Sequence, residues 1–220
     1  MTVIDSDMSL GFSDIKRNIF LKWIGSDKRI LDLGCYDGRD SELFLKSGND
    51  VYGVEILEKP AKEAESRGIR VSVFDMDKLE FWPFESEFFD IIVCGDVIEH
   101  VINVDSFLSN IRRMLKSNGL VLISTPNIAS IGRRLMLLFG KNPYIEISQK
   151  IEVNGFPSVG HVRYFTVEIL SKLLKYNGFV VEEITTDYLN LGIFKSALLG
   201  KLFPRLSWRI IALARKGEND

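Results

Sequence analysis

Apolar residues recur along this chain in two alternating rhythms. Ile15, Ile19, Phe20 and Trp23 stand at helical spacing and predict an amphipathic helix over 13–24, its aromatic residues facing a core or forming a lid. A short apolar run over 29–33 follows, broken by Gly34 and Gly38, and then a helical pattern over 41–46 that Gly48 stops. The unit repeats as a strand over 51–55, a helix over 60–66 closed by Gly68, and a strand over 69–74 ending at Asp75. Residues 89–94 are almost continuously apolar, as in a central strand buried on both faces. Phe107, Leu108, Ile111, Met114 and Leu115 mark a helix that Gly119 is expected to end, ahead of a strand over 120–124 stopped by Thr125, Pro126 and Asn127. Such alternation predicts a parallel sheet, because each strand must return through a crossover helix.

The remaining third changes character. An apolar and basic stretch over 131–139 leads into a polar connector through Gly160. A helix over 166–176 capped by Asn177 and Gly178, a strand over 179–184 and a last strand over 208–215 complete the pattern. No repeat, low-complexity tract or Pro/Gly/Ser linker divides the chain, so one α/β domain over 1–220 is expected.

Composition removes several classes. With 46% hydrophobic and 26% charged residues, and only 17 Gly, 6 Pro and 2 Cys in 220, the chain is neither collagen-like, disordered nor a disulfide scaffold. No window approaches the roughly 20 apolar residues of a membrane span, and the first residues are acidic where a secretory leader is basic, so a cytoplasmic location is expected. Cys35 and Cys94, far apart and in apolar runs, read as buried free thiols. A net charge of -2 argues against a dedicated nucleic-acid partner. That small total hides an asymmetry: residues 1–105 hold 12 basic and 22 acidic side chains, and residues 106–220 hold 16 and 8.

The sharpest chemical signal is the glycine turn at Gly34–Gly38, which brings backbone N–H groups to a ligand at the carboxyl edge of the sheet. A dinucleotide fingerprint would need glycine at 36 and 39, where Tyr36 and Arg39 stand, so a nicotinamide oxidoreductase is disfavoured. Glu55, ending the second strand about 20 residues on, is placed to accept hydrogen bonds from a ribose. Asp75 ends the third strand at the same edge, to accept from an exocyclic amine or to cap a turn. Singly these residues are ordinary turn glycines and cap acids; after three consecutive strands they point to a nucleoside.

In these residues, taken with Gly53-Val54-Glu55, Phe74-Asp75-Met76 and the run 88–94, the chain resembles the class I S-adenosylmethionine-dependent methyltransferases. Glu99-His100 after the fourth strand is similar to the ubiquinone-biosynthesis O-methyltransferases. Ile123–Asn127, Arg133-Arg134 and His161–Thr166 resemble MetW-type proteins. The resemblance implies a Rossmann-like, doubly wound, mostly parallel seven-stranded sheet with helices on both faces. It divides the chain into an N-terminal helix or lid (1–27), a cofactor-binding half (28–127), an insertion or substrate cap (128–165) and C-terminal helix and strands (166–220). It also implies S-adenosylmethionine as cofactor, leaving as S-adenosylhomocysteine. Asp32, Gly34, Cys35, Tyr36 and Gly38 would lie beneath its methionine part, Glu55 would hold the ribose, Asp75 and Met76 would flank the adenine, Cys94 and Gly95 would line the same pocket, and Ile56 is also counted among the cofactor-binding residues. Family members usually have glycine at the position of Tyr36, whose side chain must therefore point away or partly fill the pocket.

A methyl already activated on a sulfonium needs little more than alignment, exclusion of water and, for a hydroxyl acceptor, removal of a proton. Only His100 and His161 are natural bases near neutral pH, and each is equally readable as a structural residue. Their spacing matches no metal motif, so no required metal is expected. The stretches 131–139 and 194–211, basic and apolar, suit a greasy or lipid-linked small-molecule acceptor or an anionic membrane surface; more often such stripes are core with snorkelling ends. Transfer to a small acceptor, on oxygen, is the first reading. A methyltransferase-like accessory protein acting through a protein partner is the second.

Overall fold

The computed structural model describes residues 14–143, 152–153, 156–157, 160–190 and 195–218. Its main sheet is built from β1 (Arg29–Leu33), β2 (Asp50–Glu55), β3 (Arg70–Val73), β4 (Phe89–Gly95), β5 (Leu115–Pro126), β6 (Phe179–Thr185) and β7 (Arg209–Lys216). The seven strands lie in the order β3-β2-β1-β4-β5-β7-β6, parallel except for β7, which runs antiparallel to both neighbours. The doubly wound, Rossmann-like α/β sheet that the resemblance implies is therefore present, and the strand alternation points to its parallel pairing. The helices are α1 (Asp14–Ile24), α2 (Arg39–Lys46), α3 (Glu58–Ser66), α4 (Val104–Met114), α5 (Ile131–Leu138), α6 (Val167–Tyr176) and α7 (Ala197–Leu202). Two short hairpins, Glu152–Val153 with Phe156–Pro157 and Leu189–Asn190 with Lys195–Ser196, lie outside the sheet.

Period-two alternation along buried strands splits the core into two layers. Ile30, Ile91, Val93, Leu122 and Ile211 pack against Phe20 and Ile24 of α1, Phe44 of α2 and Ala64 of α3. Leu31, Leu33, Ile92, Cys94, Val121 and Ile123 face Phe107, Leu108 and Ile111 of α4 and Leu170 and Leu174 of α6. Phe20 and Trp23, read as core or lid, stack with ring centroids 6.3 Å apart, and Phe20 is fully buried. Cys35 and Cys94 are buried free thiols, as expected. Among the described residues no helix is long and apolar enough to cross a membrane.

One boundary differs from expectation. The helix ends at Met114 rather than at Gly119, and β5 begins at once, because Leu115 already pairs with Phe89. The bend is absorbed inside the strand: Asn118 takes a left-handed φ of 61°, the register with β4 shifts, and a side chain at Gly119 would meet the Lys116 carbonyl at 2.9 Å. Parts of the polar connector, the residues before Asp14 and Phe194 lie outside the described residues.

The chain reverses its direction of sheet growth between β1 and β4, and this switch point opens a crevice at the carboxyl ends of the strands. Gly38 makes the turn there possible, with φ 76° and no room for a Cβ, which would stand 2.8 Å from the Ala64 Cα of α3. Gly38→Ala should cost about 2–4 kcal/mol, combining left-handed strain with overpacking, as read from urea unfolding; an unchanged midpoint refutes this account of the turn.

Candidate active site

The crevice is walled by the loops that leave β1, β2 and β4. Gly34 (φ 69°) and Tyr36 (φ 47°) bend the first loop, and Gly34 abuts the loop after β4 so closely that a Cβ would meet Val97 Cγ2 at 2.8 Å. Cys35 is buried beneath it against Gly53, whose missing side chain makes room for the sulfur. The Tyr36 side chain is 38% exposed, while its N–H donates to Glu55 Oε2 at 3.0 Å. Glu55 Oε1 accepts from the N–H groups of Ile56 and Leu57, both at 2.9 Å. This carboxylate thus ties the β1 and β2 loops together and retains acceptor capacity on Oε2. Ile56 and Leu57 are exposed beside it, an apolar shelf at the rim.

Asp32 faces the other way. Its Oδ2 accepts from Ser41 Oγ at 2.6 Å in a buried setting at the start of α2, so it braces the turn from below. Burial pushes its carboxyl up to about 7, against the Ser41 hydrogen bond that lowers it. Asp75 caps its own turn, accepting from Asp77 N at 3.0 Å and pairing with Lys78, and the Met76 carbonyl accepts from Trp82 Nε1 at 3.2 Å. Asp77, which no sequence motif marks, receives the N–H groups of Ile102 and Asn103 and joins this loop to the start of α4.

Gly95 leads β4 into Asp96, whose φ of 58° turns the chain over the crevice. The Asp96 carboxylate receives Lys16 Nζ from α1, Arg209 Nε from β7 at 3.2 Å and Ser124 Oγ from β5 at 3.1 Å, and Arg209 also holds Asp187 at 2.7 Å. Burial alone would raise Asp96, but Arg209 and Lys16 overcome it and hold the carboxyl well below its ordinary range. Lys16 is itself 1% exposed. Nothing in the local sequence of α1 distinguishes it from the surface cations Arg17 and Lys22.

Past Asp96 the loop carries Glu99 and His100, and the chain returning from the insertion lies against it. The N–H groups of Val162 and Arg163 donate to the Glu99 carbonyl, and the Arg163 guanidinium donates to the carbonyls of Val101 and Ile102. His161 is thereby set over His100, with ring centroids 4.7 Å apart, and its Nε2 is 3.9 Å from Glu99 Oε1. Burial first, and then Asp96, push the Glu99 carboxyl up to about 7. Thr125 Oγ1 donates to its other oxygen at 2.9 Å. His161 lines a small cavity with Glu99, Pro126, Arg133 and Tyr164, and His100 packs against the His161 ring.

The basic, apolar helix α5 is not core, contrary to the commoner reading of such a stripe. Arg133 lies over the Trp208 ring, but Leu137, Leu138 and Phe139 are exposed, the last two at 75% and 74%. Leu198, Leu202 and Phe203 at α7 are exposed as well, and a groove of about 470 Å³ runs between Arg134 and residues 202–206.

Known proteins share this architecture. A family profile described as a methyltransferase domain matches residues 7–184. A ubiquinone biosynthesis O-methyltransferase of Histophilus somni is 31% identical over 110 residues, 46% of either chain. A probable S-adenosylmethionine-dependent methyltransferase of Mycolicibacterium smegmatis is 29% identical over 184 residues, 83% of this chain and 61% of the other. The chain thus spans roughly half of the curated relatives' length. The 1,6-didemethyltoxoflavin-N1-methyltransferase of Burkholderia thailandensis, solved with its substrate and S-adenosylhomocysteine, superposes with a TM-score of 0.62 at 18% identity, covering 92% of this chain and 77% of its own.

The Asp32 carboxyl, raised to about 7 against an ordinary 3.8, binds its proton in the folded chain where the unfolded chain has released it. Its contribution to stability therefore falls as pH rises from about 4 through 7. Asp32→Asn should gain on the wild type by more than ~1 kcal/mol between pH 5 and pH 8 in urea unfolding; a pH-independent difference refutes it.

Proposed function

The chain belongs to the methyltransferase-domain family, whose class I members use S-adenosylmethionine, and we propose that it methylates an oxygen of a small acceptor. The observation that supports this most directly is the cluster of Glu99, His100 and His161, set at the carboxyl edge one turn beyond Gly95. Three features support the cofactor at this crevice: a turn bent by the left-handed Gly34, Tyr36 and Gly38, a carboxylate with remaining acceptor capacity at Glu55, and the exposed apolar shelf of Ile56 and Leu57. When bound, S-adenosylmethionine supplies a methyl group already activated on sulfur.

The protein's own work is binding, alignment and proton management. Glu55 accepts from ribose hydroxyls, and Ile56 with Met76 flanks the adenine beside Asp75. Gly34, Tyr36 and Gly38 offer backbone to the methionine part, and Asp32 braces that turn from beneath. Cys94 and Gly95 close the floor, and the ion cluster on Asp96 fixes the loop above it. Beyond this loop, an imidazole of the cluster takes the acceptor's hydroxyl proton as the oxygen–methyl bond forms, the simplest course for a base near neutral pH. The exposed apolar faces of α5 and α7, rimmed by Arg134, Lys201 and Arg205, favour an acceptor with a long apolar portion. The relative from Histophilus somni is named as an O-methyltransferase, which supports oxygen as the accepting atom.

Titration calorimetry with S-adenosylmethionine and S-adenosylhomocysteine, with NAD as control, tests the first half of the reading. Binding of the first two and not of NAD is expected, and Glu55→Ala should weaken it by about 1.5–3 kcal/mol, the worth of charge-assisted hydrogen bonds. Wild-type affinity in the folded variant removes Glu55 from the site. Absence of any binding shifts the reading to an accessory protein that acts through a partner.

A further inference from the structure

We propose that the Tyr36 ring packs over the sulfonium of bound S-adenosylmethionine and makes the site prefer this charged methyl donor to its neutral thioether product. The inference rests on the cofactor reading above and adds to it the residue that decides between the two forms of the cofactor. Tyr36 sits at φ 47°, in the left-handed region that a residue with a Cβ disfavours. Gly34 and Gly38, on either side of it in the same turn, occupy that region without the penalty. The other non-glycine residues of the described chain with positive φ are Asp27, Glu87, Asp96 and Asn118, and Tyr36 is the one among them that carries a ring. Such strain persists where the surrounding structure over-determines it, and it gathers at ligand-binding sites. Here the constraint is visible: the Tyr36 N–H is fixed on Glu55 Oε2 at 3.0 Å, the oxygen with acceptor capacity left for the ribose.

A second observation concerns the ring itself. The Cys35 side chain goes inward against Gly53, whereas Tyr36, next in the chain, keeps its side chain partly exposed at the rim of the crevice. No hydrogen bond of its hydroxyl and no stacking of its ring ties it to another described residue. Arg39, the nearest cation in sequence, is committed to Asp37 at 2.5 Å. A large aromatic side chain held in a costly conformation, and tied to nothing in the described fold, is placed for a ligand.

The chemistry of that ligand follows from the position of the residue. When the ribose is held on Glu55, the sulfur is one methylene away from the sugar ring, and the methionine part runs along the turn to which Tyr36 belongs. An aromatic face attracts a cation through its quadrupole, more strongly where water is excluded. The sulfonium is such a cation, and S-adenosylhomocysteine has lost this charge together with the methyl group. Adenine and ribose are common to donor and product, so Glu55 and the apolar shelf of Ile56 and Leu57 hold both alike. The Tyr36 ring therefore supplies the discrimination that the rest of the crevice lacks, and it favours departure of the spent cofactor as product accumulates.

Calorimetric titration of the full-length protein with S-adenosylmethionine and with S-adenosylhomocysteine, on the wild type and on Tyr36 variants, tests the ring. Tyr36→Leu should weaken S-adenosylmethionine at least ~3-fold more than S-adenosylhomocysteine, within the range of a cation–π contact. Tyr36→Phe keeps the aromatic face and should keep the wild-type ratio of the two affinities. Tyr36→Gly removes ring and strain together, so its urea midpoint should not fall while its ratio drops as in Tyr36→Leu. That variant separates a lost preference from a lost fold. Glu55→Ala, weakening both ligands alike, shows the result expected of a contact common to both. Equal loss of the two ligands in Tyr36→Leu and Tyr36→Gly, tighter binding of both by Tyr36→Gly, or a ratio lost in Tyr36→Phe overturns the proposal. A wild type that binds neither ligand brings down the cofactor reading itself, an outcome distinct from all of these.

Discussion

The Asp96 carboxylate is the point on which the rest of the site depends. It sits at the carboxyl tip of the central strand β4 and is reached by a lysine from α1, a hydroxyl from β5 and an arginine from β7. Burying a carboxylate is costly unless cations and hydrogen bonds surround it, and removing one partner leaves an uncompensated charge. Four elements separated widely in sequence therefore share one electrostatic anchor. Arg209 extends it to the buried Asp187, just beyond the end of β6, so the edge of the sheet is tied to the same group.

From that anchor the two halves of the site take different constructions. The half formed by β1 and β2 is made of backbone, with glycine conformations and a carboxylate that gathers three N–H groups. It demands little of side-chain chemistry and suits a cofactor that brings its own reactivity. The half beyond β4 is made of side chains from three segments: Glu99 and His100 after β4, Thr125 on β5 and His161 on the returning chain. The charge asymmetry along the sequence follows the same division, with the acidic first half around the crevice and the basic second half supplying α5 and α7.

The sheet was legible because its signals are local. Short apolar runs, glycines at turns and acids at strand ends repeat with every unit, and each reports on its own neighbourhood. The exception shows the same rule: Gly119 looked like a helix stop because glycine commonly is one, whereas pairing of Leu115 with Phe89 pulled those residues into β5. Long-range pairing overrode the local signal. Tyr36 was a departure whose direction only the backbone could set, and the left-handed turn leaves its ring partly in solvent.

Sequence alone determined the α/β alternation, the glycine turn and the acids that follow the strands, since each depends on residues a few positions apart. Tertiary structure decided which of those acids face the crevice: Asp32 turns beneath it and Asp75 closes its own turn, choices made by packing rather than by spacing. It also converted Lys16 from one cation among several on a helix into a buried counter-ion. The two histidines stand far apart in the chain, so no local signal could pair them. Hydrogen bonds from Val162 and Arg163 to the Glu99 carbonyl bring His161 back across the fold, and a cluster invisible along the sequence becomes a contact in space.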